Sequence, residues 1–237
     1  EEGDFVVTVD VASANMLPDC FKHLTFDLRI DHHGSCTPFA PEELVDADSA
    51  SCAEIICDIL TILGVEMDAD IADALYVGVA SDTGCFRYAN TNAHSFLVAS
   101  ACAQAGGDLH TINQEIFDTN SLVRLRLQGW IVENIRFLKN GTLAVCALPK
   151  AVEQKLGVTE DDMENISGFP RSIEGVKLAA TLREEAAGPV KLSVRAVPGY
   201  DAAAVCEKFG GGGHKGAAGA GLHMTLQEAL ETVKAVL

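Results

Sequence analysis

The chain has 237 residues, 48% of them apolar and 8 of them cysteine, enough for one large domain or two small ones with a substantial core. No apolar run reaches the ~18–20 residues of a membrane span, no basic-then-apolar leader is visible, and Cys20, Cys36, Cys52, Cys57, Cys85, Cys102, Cys146 and Cys206 contain no Cys-x-x-Cys pair. The cysteines therefore read as small buried hydrophobes in a reducing compartment, not as a disulfide frame or a zinc site. Net charge is −17 and uneven: residues 1–138 hold 6 Lys/Arg against 22 Asp/Glu, residues 139–237 hold 11 against 12. The acidic part would repel a long nucleic-acid backbone unless cations sit in it, whereas the near-neutral part could hold anionic groups. That asymmetry argues for two domains with different work.

In chain order, Phe5 to Val9 is a short apolar run, expected to be a buried parallel strand. It ends in Asp10, which is placed either for a ligand at a strand's carboxyl end or as a helix cap. Residues 14–24 read as a short helix or turn. From Thr25 to Ile30 the pattern alternates, the signature of a half-buried strand. The strand stops at Asp31-His32-His33-Gly34. An acid and two imidazoles at one strand end point to a metal or phosphate site, with a structural hydrogen-bond cluster as the alternative. A loop with Pro38 and Pro41 follows. Ser51 and Glu54 form a capping-box pattern ahead of a helix bearing Ile55, Ile56, Ile59, Leu60 and Leu63, ended by Gly64.

A second helix is expected over 69–80, running into Ser81-Asp82-Thr83-Gly84. A carboxylate at the negative end of a helix dipole needs an offset, either a cation or a local turn hydrogen bond. Phe86 to Thr91 reads as a short edge segment. Asn92 should cap a helix over 93–105, stopped by Gly106 and Gly107. Leu109 to Leu138 is mostly helical in pattern with a break near 118–121. Its second half, 121–138, reads as a connecting helix, and Lys139-Asn140-Gly141 as a boundary turn.

Beyond it come a strand from Thr142 to Leu148 and a helix to Gly157. A polar stretch, Glu160–Asp162, follows and is expected to cap another helix. A hairpin of 176–182 with 190–197 comes next, then a short helix over 201–209. Gly210 to Gly213 then leads to His214 and Lys215. Gly211 to Gly216 matches G-x-G-x-x-G, yet a helix precedes it and an extended stretch follows, so it is not a dinucleotide fingerprint. It reads as unobstructed backbone amides able to wrap an anion, with His214 and Lys215 as donors, or else as a flexible connector. A capping box at Thr225 and Glu228 opens the last helix.

Asp31-His32-His33, Asp10, Asp82 within Ser-Asp-Thr-Gly, the strand Ser193-Val194-Arg195 and the run Gly210 to His214 together resemble the DHH phosphoesterases with a C-terminal DHHA1 domain. The layout is similar to stand-alone oligoribonucleases that also remove the 3′ phosphate of adenosine 3′,5′-bisphosphate (pAp). The resemblance implies an α/β fold: a parallel-sheet DHH domain, N-terminally incomplete, over 1–120; the connecting helix; and a smaller α/β DHHA1 domain with a mixed sheet over 139–237. It implies two Mn²⁺ or Mg²⁺ ions, with Asp10 and Asp82 bridging them and His32 binding one. His33 would orient a ligand or contact phosphate. Ser193, Arg195, Gly211, Gly212, Gly213 and His214 would hold the terminal phosphate or nucleotide. The implied partners are a short oligonucleotide or a nucleotide bisphosphate, with no membrane and no long duplex. A homodimer is an admissible assembly and the cytoplasm the implied compartment. Members of the family begin with an Asp-x-Asp motif upstream of the position of Asp10. This chain shows none, so an upstream segment is expected and turnover by this chain alone should be impaired. A cyclic-dinucleotide phosphodiesterase and a non-catalytic nucleotide-binding module are the rival readings. An inorganic pyrophosphatase shares the first domain type but not the glycine run.

Overall fold

A computed structural model describes residues 4–34 and 38–237. Cys36, and with it the expectation that it is buried, lies outside the described residues. The chain forms two compact units, Glu1–Thr119 and Asn120–Leu237.

The first unit carries a three-stranded parallel sheet, ordered β1 (Val7–Val9), β2 (Leu28–Asp31), β3 (Glu42–Val45). Val9 stands opposite Ile30, and Asp31 opposite Val45. Two expectations change here. β1 is parallel but not buried: Thr8 faces inward while Val7 and Val9 are exposed, because among the described residues β1 pairs only with β2. β2 is buried on both faces and not half-buried. Ile30 packs on one side, and the alternate residues Arg29 and Asp31 are fully enclosed on the other. β3 falls in what reads as a proline loop. Two glutamates and the adjacent Pro41 hide it, and Glu43 faces the buried Arg29 at 3.1 Å.

Three helices pack next. In α1 (Cys52–Ile62) the Ser51 side chain accepts from the Glu54 amide. The reciprocal bond of a capping box is displaced by one residue, since Glu54 accepts from the Ala50 amide instead. Gly64, at φ +68°, closes the helix end. Asp68 caps α2 (Ala69–Asp82), which extends two residues past its expected end and so includes Asp82. Its Ala72, Leu75, Tyr76 and Val79 are buried against α3 (Ala93–Gln104), which has a complete Asn92–Ser95 capping box. Between α2 and α3 the expected edge segment is instead a compact turn. Gly84, Cys85 and Phe86 are all left-handed, and the Arg87 and Tyr88 amides both donate to the Thr83 carbonyl. α4 (Leu109–Asn113) runs into a π-helical turn, Gln114–Asp118.

The second unit begins with α5 (Leu122–Asn134). The helical pattern to Leu138 is not sustained: Ile135 turns extended, and Arg136–Leu138 is a strand, β4. The left-handed run Lys139, Asn140, Gly141 folds it back as a hairpin on β5 (Leu143–Leu148). α6 (Lys150–Leu156) and α7 (Glu160–Met163) follow, with a 3-10 turn at Ile166–Ser172. These lead to β6 (Leu178–Arg183) and β7 (Val190–Ala196). α8 (Ala202–Glu207), β8 (Gly212–Gly213), β9 (Ala217–Leu222) and α9 (Leu226–Val236) complete the unit. The sheet order is β4-β5-β6-β7-β9-β8, with only β5 and β6 parallel. One face packs on α8 and α9 through Val145, Leu182, Leu192 and Val194.

Cys52, Cys57, Cys102, Cys146 and Cys206 are buried without disulfides, and burial pushes the Cys146 thiol up to about 12, so they act as inert hydrophobes. Cys20 is exposed and Cys85 half-buried, against expectation. Among the described residues no helix is long and apolar enough to cross a membrane.

Candidate metal centre and anion face

Asp10 follows β1, and its amide donates to the Ile30 carbonyl at 3.0 Å, so the two strands end level. Asp10 itself is left-handed, at φ +57°, a conformation aspartate tolerates better than most residues. The next strand delivers Asp31, His32 and His33 to the same end. The last turn of α2 delivers Asp82. The result is a cluster in which His32 Nε2 lies 3.6 Å from Asp10 Oδ1 and 3.5 Å from Asp82 Oδ2. Of the ten residues singled out in the sequence, the four of the first unit (Asp10, His32, His33 and Asp82) are therefore brought together.

The ring orientations follow from their second partners. His32 Nδ1 lies 3.3 Å from the Ser49 carbonyl. A carbonyl only accepts, so Nδ1 carries the hydrogen and Nε2 offers its lone pair toward the two carboxylates. His33 Nδ1 lies 2.7 Å from Asp31 Oδ1, and the same oxygen accepts from the amides of His32 and His33. Burial pushes the Asp31 carboxyl up, but these hydrogen bonds outweigh it and hold its pKa below the usual value. Asp31 is thus an ionised brace for His33.

Asp82 is in the opposite condition. Burial, then repulsion from Asp10, raises its pKa above the ordinary carboxylate value. The turn hydrogen bond that could have relieved it belongs to its neighbour: Thr83 Oγ1 donates to the Val79 carbonyl and accepts from the Phe86 amide. Asp10, Asp31, His32 and His33 each offer a ligand atom within a 4.8 Å group. Both Asp31 oxygens are already engaged, and Asp82, outside that group, lies 3.5 Å from His32 Nε2, so the free donors are the carboxylates of Asp10 and Asp82 and Nε2 of His32, with Nε2 of His33 left open on the neighbouring ring. Two carboxylates and an Nε2 lone pair suit a hard-to-borderline divalent cation. The carbonyl that braces one histidine and the carboxylate that braces the other are the usual outer partners of such a centre.

Sequence reasoning missed the braces. The Ser49 carbonyl cannot be foreseen from a side-chain pattern. Asn90, whose Nδ2 donates to the carbonyls of Ala50 and Asp82 at 3.1 Å each, ties the Ser49–Ala50 loop to the end of α2. Its only signal is an asparagine in a turn.

In the second unit the other six residues share one part of the sheet. Ser193 stands opposite Gly219, which stands opposite Gly212; Arg195 stands opposite Ala217. The His214 amide donates to the Ala217 carbonyl, and the Ala217 amide donates back to His214. Ser193 and Arg195 are two apart on β7 and so point to one face. Arg195 Nη1 donates to the Val194 carbonyl. Burial, with Arg171 nearby, lowers its pKa. The glycine run is not an open amide nest. The amides of Gly210, Gly211 and His214 donate within the chain, and Gly212–Gly213 form a strand. A Cβ at Gly211 would sit 2.2 Å from the Gly219 carbonyl oxygen, and one at Gly213 2.6 Å from the Ala218 Cα, whereas a Cβ at Gly212 meets nothing within 4 Å. Gly211 and Gly213 are thus demanded by close backbone approach, whereas Gly210, left-handed at φ +72°, and Gly212 front open space.

Residues 140–237 match the family model of the DHHA1 domain. Over 210 residues the chain is 34% identical to the bifunctional oligoribonuclease and PAP phosphatase NrnA of Thermus thermophilus, covering 88% of this chain and 62% of that protein. It is 26% identical over 227 residues to the Bacillus subtilis protein of the same name, covering 94% of this chain and 71% of that one. The chain thus spans less than two thirds of the Thermus relative. The crystal structure of an exopolyphosphatase-related protein from Bacteroides fragilis superposes with a TM-score of 0.90 at 25% identity, over 99% of this chain and 71% of that one.

Proposed function

We propose, from the premise that this chain belongs to the DHH/DHHA1 phosphoesterases, that it serves metal-dependent hydrolysis of short oligonucleotides and of pAp. The observation that supports this most is the meeting of His32 Nε2 with the carboxylates of Asp10 and Asp82. These three side chains would hold divalent cations, Mn²⁺ or Mg²⁺. When bound, the ions supply Lewis acidity, favouring ionised water and neutralising charge that develops on phosphate.

The chain's own groups have the following roles in this reading. Asp10 and Asp82 supply negative charge to the cation site, and Asp82 is freed of its electrostatic conflict when a cation is present. Asp31 fixes Nδ1 of His33, which leaves Nε2 of that ring to face a phosphate oxygen. On the second unit Arg195, Ser193 and His214 grip the terminal phosphate or nucleotide, and the bare Gly212 lets it approach the backbone. Two octahedral ions need about twelve donors. Three side chains leave most of these to water, so metal binding and turnover by this chain should be weak.

The test is product release with Mn²⁺ from pAp, a short oligoribonucleotide and a cyclic dinucleotide. The proposal expects metal-dependent hydrolysis of the first two ahead of the third. A cyclic dinucleotide cleaved fastest would shift the assignment to that substrate class. Tight nucleotide binding without hydrolysis of any of the three would favour a binding module.

A further inference from the structure

The side of β2 away from Ile30 carries a charged chain of contacts that leads from the protein interior to the cluster. Arg29 is fully buried, as is Asp31. Arg29 Nη1 lies 3.3 Å from Asp31 Oδ2, and Arg29 Nη2 lies 3.1 Å from Glu43 Oε2. Glu43 is held in turn by the Phe39 amide at its other oxygen, 3.0 Å away, and the Phe39 ring lies under the guanidinium at 5.4 Å. Arg29 Nη1 also reaches the Val11 carbonyl at 3.3 Å, on the segment just after Asp10.

The two oxygens of Asp31 are divided by this arrangement. Oδ2 faces Arg29. Oδ1 takes the His32 and His33 amides and His33 Nδ1. A carboxylate bound on one side only can rotate about its Cβ–Cγ bond. One bound on both sides cannot, and a planar guanidinium that faces Asp31 through Nη1 while Glu43 fixes Nη2 holds its direction. We infer that Arg29, aimed by Glu43, is a positioning residue that locks the Asp31 carboxylate and through it the tautomer and orientation of His33. Apolar side chains in place of the whole ion group would fill this face without burying charge. A buried cation paired with two carboxylates is costly by comparison, and its placement two residues before the cluster gives that cost a use.

The test is long-range ¹H–¹⁵N NMR of the histidine rings at one neutral pH, read beside kcat/KM. It deepens the proposed function, but the ring signals do not depend on which substrate, if any, is turned over. In the wild-type chain His33 should show a single tautomer with Nδ1 protonated. Arg29→Met should convert it to a tautomer mixture while the His32 ring, braced by Ser49, keeps its signals. Where activity is measurable, kcat/KM should fall about 10–100-fold, the usual cost of losing an outer partner. Arg29→Lys, which keeps the cation without the fork, should restore the effect in part. Glu43→Ala, at a half-exposed edge-strand position, should shift His33 in the same direction by less, and it covers the case in which Arg29→Met fails to fold. A folded Arg29→Met or Glu43→Ala chain whose His33 ring keeps wild-type signals would overturn the inference.

Discussion

At Asp82 three unfavourable fields meet: burial, the Asp10 carboxylate and the carbonyl end of α2. Its pKa is raised on folding, so its contribution to stability is complete only below the unfolded carboxylate value and is lost as pH rises through the folded one. At neutral pH the ionised group therefore opposes folding, and a bound cation removes that opposition. Mn²⁺ should accordingly raise the Tm of the chain at pH 7, with an increment that shrinks steadily as pH falls toward about 4. Calorimetric scans across that range would check it; an increment independent of pH would place the ion elsewhere. The conflict at Asp82 was legible in the sequence from its helix-end position alone. Its relief by a cation was legible only as a need, because His32, a further donor to that cation, arrives from the end of β2, fifty residues earlier.

The glycine run separates two roles that the sequence alone cannot separate. Gly211 is fixed by strand packing, since its Cβ would strike the Gly219 oxygen, whereas Gly212 fronts open space. Gly211→Ala should destabilise the chain by about 1–3 kcal/mol through overpacking. Gly212→Ala should leave Tm nearly unchanged and, on the proposed reading, raise KM. Thermal melts beside steady-state kinetics would show the split; equal effects of both variants on Tm would remove the special place of Gly212. Elements with local signals were readable in advance. Asn92 caps its helix as foreseen, Thr225 opens the last one with the foreseen box, Gly64 and Gly106 end theirs left-handed, and β6 and β7 form the foreseen hairpin. Elements whose stability comes from distant partners were not. β3 is held by pairing with β2 and by the Glu43–Arg29 contact, β4 by pairing with β5, and β8 is two glycines whose propensity points away from any strand.

Over the whole chain, charge divides more sharply by compact unit than by the boundary the sequence suggested. Residues 1–119 hold 3 Lys/Arg against 21 Asp/Glu, and residues 120–237 hold 14 against 13. The cations and the anions of the proposed reaction are thus each matched to one unit. So strong an acidic excess also attracts Mn²⁺ without any specific site, and that diffuse attraction is screened by salt over about 8–10 Å. The measurement that tests the account most directly is therefore a Mn²⁺ titration at about 0.15 M salt of the wild-type chain beside Asp82→Asn and His32→Ala. The account predicts saturable binding that survives the salt and weakens at least about tenfold in each variant, well beyond the loss of one surface charge. Equal binding by all three chains, or binding that salt abolishes, would contradict a metal centre at Asp10, His32 and Asp82.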